Sequence, residues 1–208
     1  GENRPSMELT RRAVRFTNGW ARAQVQEAGR IAAEALAPTI QPFARPIIEE
    51  HRQAGRALVL ATTTPYDLVA PLAEALGFDD VVATRYRAVD GRYDGTLDGE
   101  FVRGAGKLRA IQAWAAEHGV DVAESWAYSD SFYDLPMLSA VKHPVVVNPD
   151  PRLLAVGVLR RWPIVHLDVP EGVPKLPVLG VEPQKVALAV GRHVPIPFAR
   201  FDIAGEEH

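Results

Sequence analysis

The sequence predicts an α/β fold, a parallel sheet flanked by helices, with a small helical unit ahead of it and an extended segment behind. Three observations carry that expectation. Short apolar runs alternate with amphipathic stretches between positions 57 and 167. Glycines stand where the amphipathic stretches should stop. The apolar runs are compact, as strands buried on both faces of a parallel sheet are. With 208 residues, of which 47% are apolar and 24% charged, the chain can bury a substantial core.

In chain order, Met7 to Leu36 is helical and rich in Ala and Arg: Leu9, Ala13, Phe16 and Trp20 recur at spacings of four and three, and Val25, Ala28, Ile31 and Ala35 continue a similar stripe. Asn18-Gly19 divides this region into two helices, because glycine admits the positive φ that ends one. A further helix runs from Pro42 or Pro46 to Ala54 and stops at Gly55, ahead of the strand Ala57 to Ala61. Pro65 to Leu76 is a helix closed by Gly77, and Val81 to Thr84 is the next strand. Tyr86 to Val89 and Arg92 to Leu97 flank Asp90-Gly91, the strongest hairpin signal in the chain, and are expected as an antiparallel excursion at the sheet edge. Leu108 to His118 is amphipathic and ends at Gly119. Ser125 to Tyr128, Val145 to Val147 and Ile164 to Leu167 are strands, with the helix Arg152 to Leu159 between the last two. Six of the 17 prolines follow Asp168, which excludes central strands and long helices there. The expected division is a helical module over 1–40, an α/β core over 41–168 and a Pro-rich connector over 169–208.

Composition narrows the function classes. A net charge of −3 and a pI near 6.1 argue against nucleic acid bound on a broad basic face, but leave phosphate binding in a small pocket open. No cysteine occurs, which removes thiolate chemistry, disulfides and cysteine-zinc sites and suits a cytoplasmic location. No run reaches the roughly 20 apolar residues that span a bilayer, and Gly1 to Arg12 has no signal-peptide core.

Three places could carry chemistry. Tyr128-Ser129-Asp130-Ser131-Phe132-Tyr133-Asp134 sets two carboxylates four apart just beyond a buried strand, at the carboxyl end where ligands of open α/β sheets bind. Magnesium takes one or two such carboxylates together with waters and phosphate oxygens. Asp130 is the better direct ligand and Asp134 a support. The competing role is structural, with Asp134 capping a helix near Leu135-Pro136 and Asp130 closing a turn. Thr62-Thr63-Thr64-Pro65 follows another strand. There Thr64, with Pro65 and Asp67, has the pattern of a helix cap, whereas Thr62 could hold phosphate oxygens or be a satisfied turn hydroxyl. Gly104-Ala105-Gly106-Lys107 precedes a helix without matching a Walker motif, which disfavours a kinase. Lys107 could neutralise phosphoryl oxygens or be a solvated surface lysine. The six histidines show no metal-binding spacing, and His51 and His118 sit near helix C-termini as structural residues. The four tryptophans are dispersed, as core or pocket walls are.

In combination these segments resemble motifs two, three and four of the haloacid-dehalogenase (HAD) superfamily, in its phosphoserine-phosphatase-like branch, subfamily IB. The likeness runs through Ala61-Thr62-Thr63-Thr64-Pro65, Ala83-Thr84-Arg85, the Asp90-Gly91-Arg92-Tyr93 hairpin, Ala127-Tyr128-Ser129-Asp130-Ser131, Asp134-Leu135-Pro136-Met137-Leu138 and Val147-Asn148-Pro149-Asp150. It covers roughly Ile40 to Leu167. The resemblance implies a HAD-like Rossmannoid core with a helical cap, and a Mg²⁺-dependent phosphomonoester hydrolase working through an aspartyl-phosphate. It implies that Thr62, Thr63 and Lys107 bind phosphate, with Thr62 and Lys107 catalytic, that Asp130 holds the metal and that Asp134 supports it. A small phosphomonoester or a lipid phosphate headgroup would be the substrate.

The departure from the family pattern is the nucleophile. The Asp-x-Asp-x-Thr segment that should supply it is missing, and no aspartate precedes Asp67. Family topology sets that segment on a strand between the Ala57 and Ser125 strands, so the expectation is a fold incomplete at its N-terminal part, inactive alone and completed by a further N-terminal segment. The alternative is a degenerate, non-catalytic module that binds phosphate or organises a partner. Val173-Pro174-Lys175-Leu176-Pro177 and Phe198 to His208 resemble the bridge to a fused lysophospholipid acyltransferase. That likeness implies a phospholipid-synthesis setting and peripheral contact with the inner membrane surface.

Overall fold

A computed structural model of the chain describes residues 14–40 and 43–167. The helical stripe from Leu9 to Ala13, the candidate helix start at Pro42 and the connector with both of its bridge segments lie outside them.

Glycine and threonine set the local breaks. Thr17–Gly19 forms a turn with Gly19 at φ 82°, and the first described helix of full length, α1, is Arg22–Leu36. A 3₁₀ turn, Ala37–Thr39, follows, and then α2, Ala44–Gln53. Strand β1 is Val59–Pro65, longer at its carboxyl end than the apolar run alone suggests. The β-branched threonines 62 to 64 suit extended backbone and remain in the strand. Helix α3, Tyr66–Ala75, therefore starts from Pro65 with no side-chain cap, and the expected capping role of Thr64 is not realised. Strand β2, Asp80–Thr84, runs parallel to β1 with Thr62 opposite Ala83 and Pro65 opposite Thr84.

Strands β3, Tyr86–Val89, and β4, Arg92–Leu97, form the expected antiparallel hairpin. Asp90 and Gly91 take φ of 49° and 74°, the two left-handed residues a tight I′ turn needs. Helix α4 is Ala105–His118, so Lys107 lies in its first turn. Strand β5, Trp126–Ser129, leads through the 3₁₀ turn Phe132–Asp134 into the short α5, Leu135–Leu138. Strand β6, His143–Val147, helix α6, Pro151–Arg160, and strand β7, Ile164–Val165, complete the described chain.

The parallel strands fall into two sheets, β1–β2 and β5–β6–β7. Among the described residues no strand lies between β1 and β5, and each has a neighbour on one edge only. Each sheet has its own core: Val69, Ala73, Val81 and Ala83 against the first, and Ala127, Met137, Leu138, Val146 and Leu153 against the second. Helix α4 joins them, packing on β1 and β2 and also on α5.

The helical unit is fastened to this core through the hairpin and α3. Gly19 donates to Tyr93 O at 2.8 Å, Tyr93 donates to Trp20 O at 3.0 Å, and Arg22 donates to Gly91 O at 2.9 Å, so residues 19–22 run along β4. Helix α1 then crosses α3 at Gly29, where a Cβ would stand 2.7 Å from Asp67 O; only glycine allows that approach. The Asp67 carboxylate is buried and accepts from Arg22 Nε and Nη2 at 2.9 and 3.0 Å, Gln26 Nε2 at 2.9 Å and Tyr93 Oη at 2.8 Å. Asp67 is thus a tie between three elements and not a cap for α3. His51 is structural, as expected: buried at the end of α2, it shares a 2.8 Å hydrogen bond with Tyr128 Oη.

Candidate active site

Side chains converge at the carboxyl ends of β1 and β5. Alternation along β5 sends Ala127 and Ser129 inward, and both are buried. The chain then turns at Asp130, and Asp134 folds back so that its Oδ2 accepts from Ser129 Oγ at 2.8 Å and from Lys107 Nζ at 2.8 Å. Lys107 and Asp134 are 7% and 8% exposed, which makes this an internal ion pair and rules out a solvated lysine. Asp134 occupies the N-cap position of α5 but makes no capping hydrogen bond with its side chain, so the structural alternative fails there.

Two glycines deliver Lys107. Gly104 has φ 54° and ψ −127°, a conformation open to glycine alone, and a Cβ on Gly106 would stand 2.3 Å from Phe101 O. The loop before them is pinned to β1 and β2: Thr63 Oγ1 donates to Val102 O at 2.8 Å, and Val102 N donates to Thr84 Oγ1 at 3.2 Å. The Thr63 hydroxyl is therefore committed to this loop. Thr62 differs. Its hydroxyl makes only long contacts within its own turn, 3.2 Å to Thr64 Oγ1 and 3.2 Å from Thr64 N, and can turn toward a ligand.

Asp130 is exposed at the tip of the β5 loop, and its carboxylate has no hydrogen-bond or ion-pair partner among the described residues. The backbone holding it is firmly placed. Asp150 N donates to Asp130 O at 2.9 Å, and Asp150 Oδ2 accepts from Phe132 N at 2.7 Å. Asp150 Oδ1 meanwhile caps α6 through Arg152 N and Leu153 N, both at 2.9 Å. Burial pushes the Asp150 carboxyl up, but the N–H groups of Phe132, Leu153 and Arg152 outweigh it and hold it below the usual carboxylate range.

Ser129 and Asp150 are thus site-building residues that spacing did not single out. For Ser129 the available signal was its inward position in the strand's two-residue alternation. For Asp150 it was Asp-Pro opening a helix.

Lys107, Asp134 and Ser129 are directly linked; Thr63 joins them through the 102–107 loop; the Asp130 carboxylate has no partner among the described residues, and the Thr62 hydroxyl has only its two 3.2 Å contacts with Thr64. The donor set suits a hard cation at Asp130, since magnesium accepts one or two carboxylates and fills its octahedron with waters and phosphate oxygens. Among the described residues no group of three or more acidic or histidine side chains is placed to hold a metal ion, and the Asp130 carboxylate stands alone in the β5 loop.

The family model described as haloacid dehalogenase-like hydrolase matches residues 3–139. An "Inhibition of morphological differentiation protein" of Streptomyces azureus is 39% identical over 180 residues, covering 83% of this chain and 63% of the relative. "Phosphoserine phosphatase SerB1" of Mycobacterium tuberculosis (strain ATCC 25618 / H37Rv) is 35% identical over 188 residues, covering 88% of this chain and 61% of that protein. The chain therefore spans less than two thirds of the length of these curated relatives. Among solved structures, a protein of unknown function from Bordetella pertussis Tohama I superposes with a TM-score of 0.60 at 32% identity, over 65% of this chain and 64% of its own.

Proposed function

Because the chain belongs to the haloacid dehalogenase-like hydrolases, we propose that it is the greater part of a magnesium-dependent phosphomonoester hydrolase domain that works through an aspartyl-phosphate in the intact protein. The buried Lys107–Asp134 pair, together with the unpaired Asp130 carboxylate and a Thr62 hydroxyl held only by 3.2 Å contacts within its own turn, is the observation that carries it. A phosphoryl group transferring in a water-poor cleft needs fixed positive and donor groups around three charged oxygens. Lys107 supplies the charge, held in place by Asp134 and Ser129. Thr62 donates a hydrogen bond from the opposite strand end. Bound magnesium would neutralise the phosphoryl oxygens further, and Asp130 would hold it.

The attacking aspartate is not among the residues before Asp67. We place it on a strand from outside these 208 residues, seated between the partnerless edges of β1 and β5 with its carboxyl end beside Thr62 and Asp130. That position would also give both edges the backbone partners that strands otherwise lack. Residues 1–40 would serve as the cap and 41–168 as the core. The bridge-like segments after Val169 extend the proposal, on sequence resemblance alone, to a fused acyltransferase at a membrane surface; among the described residues no helix is long and apolar enough to cross a membrane. A small phosphate ester is the substrate class, and phosphoserine belongs in a substrate panel because a relative carries that name.

The test is phosphate release by the full-length natural protein, with magnesium and with chelator, for wild type, Asp130→Asn and Thr62→Val. Wild type should require magnesium, and each variant should lose on the order of 10²-fold or more in kcat. Equal rates in all three would eliminate the proposed mechanism, and no magnesium-dependent release by wild type would leave a non-catalytic phosphate-binding module as the surviving description.

A further inference from the structure

Apart from what bound magnesium would add, the side chains of the site supply little net positive charge: Lys107 is paired with Asp134 and Asp130 adds a negative charge, so before the metal binds these three groups together repel a phosphate ester carrying nearly two negative charges. Among the described residues a further cation, Arg103, borders them. Arg103 lies in the loop that turns into α4, next to Val102, whose carbonyl accepts from Thr63 at the end of β1. Its backbone is fixed at both ends: Arg103 N donates to Phe101 O at 2.8 Å, and Arg103 O accepts from Gly106 N at 2.9 Å. The side chain reaches the other way, with its guanidinium carbon 4.2 Å from the centre of the Tyr133 ring, in the 3₁₀ turn between Asp130 and Asp134.

Arg103 therefore runs from the β1 side of the site to the β5 side. It is half-buried, and no carboxylate pairs with it among the described residues. The other arginines with a ring contact differ in place: Arg56 covers Trp126, Arg85 covers Tyr66 and Arg160 covers Trp162, none of them in the loops that carry Lys107 or Asp134. Stacking occupies a face of the guanidinium and leaves its in-plane N–H fork open, which is the geometry that grips phosphate oxygens in pairs.

We propose that Arg103 is the substrate-capturing cation of this site, binding the non-bridging oxygens of the phosphate group, with Tyr133 as the platform that orients it. The assignment rests on the phosphohydrolase reading but is tested separately from it. Because the contact forms when the phosphate binds, it should act mainly on KM and on inhibition by inorganic phosphate.

In the full-length protein, Arg103→Ala should raise KM for a phosphate ester and the inhibition constant of inorganic phosphate by about tenfold each, with kcat within a few-fold of wild type. Arg103→Lys should recover part of this, since it keeps the charge but loses the fork. Tyr133→Ala should raise both constants by only about threefold, the size of an exposed cation–π contact. A thermal midpoint for each variant confirms that it is folded.

Direct titration with inorganic phosphate, followed by calorimetry, separates the two readings. Hydrolysis by Arg103→Ala at wild-type KM and phosphate inhibition would overturn the assignment while leaving the phosphohydrolase intact. Phosphate binding that weakens in Arg103→Ala, in a protein that hydrolyses no ester, would uphold the assignment and overturn the phosphohydrolase.

Discussion

Lys107→Met should destabilise the fold by about 3–5 kcal/mol and, in the full-length protein, lower phosphate release by on the order of 10²-fold or more. The two losses share one origin. Asp134 is 8% exposed and receives two hydrogen bonds on one oxygen, from Lys107 and Ser129. Removing the ammonium leaves a buried carboxylate with a single neutral donor, an uncompensated charge that the surrounding Met137–Leu138 core cannot solvate. The stability part is separable. Lys107→Met combined with Asp134→Leu removes both charges and should regain most of the lost stability, short by about 1 kcal/mol for the acceptor that Ser129 loses. Activity should not return. Urea unfolding midpoints for the two single variants and the double variant, set beside phosphate release, make the check; a double variant no more stable than Lys107→Met alone would show that the pair is not coupled in this way.

Asp67→Ala is expected to cost about 2–3 kcal/mol, because it strands the buried Tyr93 hydroxyl and frees Arg22 and Gln26 together. The effect should reach beyond α3, since the same carboxylate ties α1 and β4 to it. Burial raises the Asp67 carboxyl, yet the hydrogen bonds from Arg22, Tyr93 and Gln26 outweigh that, and it sits below its ordinary value of 3.8. A folded-state value below the unfolded one means that the stabilisation is fully present above the ordinary value and disappears as pH falls through the folded value. Wild type should therefore lose stability below about pH 4 more steeply than Asp67→Asn, which has no charge to lose. Thermal midpoints from pH 7 down to pH 3 would measure the difference, and parallel curves would assign the acid sensitivity elsewhere. Tyr93 moves the other way, pushed above its usual range by burial first and then by Asp67, so its hydroxyl stays protonated and donating throughout.

The α/β alternation and the hairpin were readable because their signals are local. Gly55, Gly77 and Gly119 take φ of 68°, 73° and 66° where helices end, and Asp90-Gly91 needs no distant residue to form its turn. Thr62, Lys107 and Asp130 were legible as candidates because each follows or precedes a recognisable element. The pairings escaped. Nothing in periodicity tells Lys107 that its partner is Asp134, 27 residues on, or Asp67 that it faces Arg22, 45 residues back. Asp67 had a local pattern that fits a cap, and a long-range network with four donor atoms overrode it. Thr63 was grouped with Thr62 as a phosphate ligand, but adjacent strand residues point to opposite faces, and the bulge at this end gives the Thr63 hydroxyl to Val102.

The two separate cores have a dynamic consequence. Helix α4, the Lys107–Asp134 pair and the contacts of His51 and Arg56 with Tyr128 and Trp126 are the joints between β1–β2 and β5–β6–β7, few beside the contacts within each core, so each half should open as its own cooperative unit. Native-state amide exchange on the 208-residue chain should resolve two protection levels, one for Val81 to Ala83 and another for Val145 to Val147. A strand hydrogen-bonded to both β1 and β5 would merge them into one level. Supplying the nucleophile would then be inseparable from completing the fold, and chemistry would switch on only in molecules whose two halves had become one folding unit.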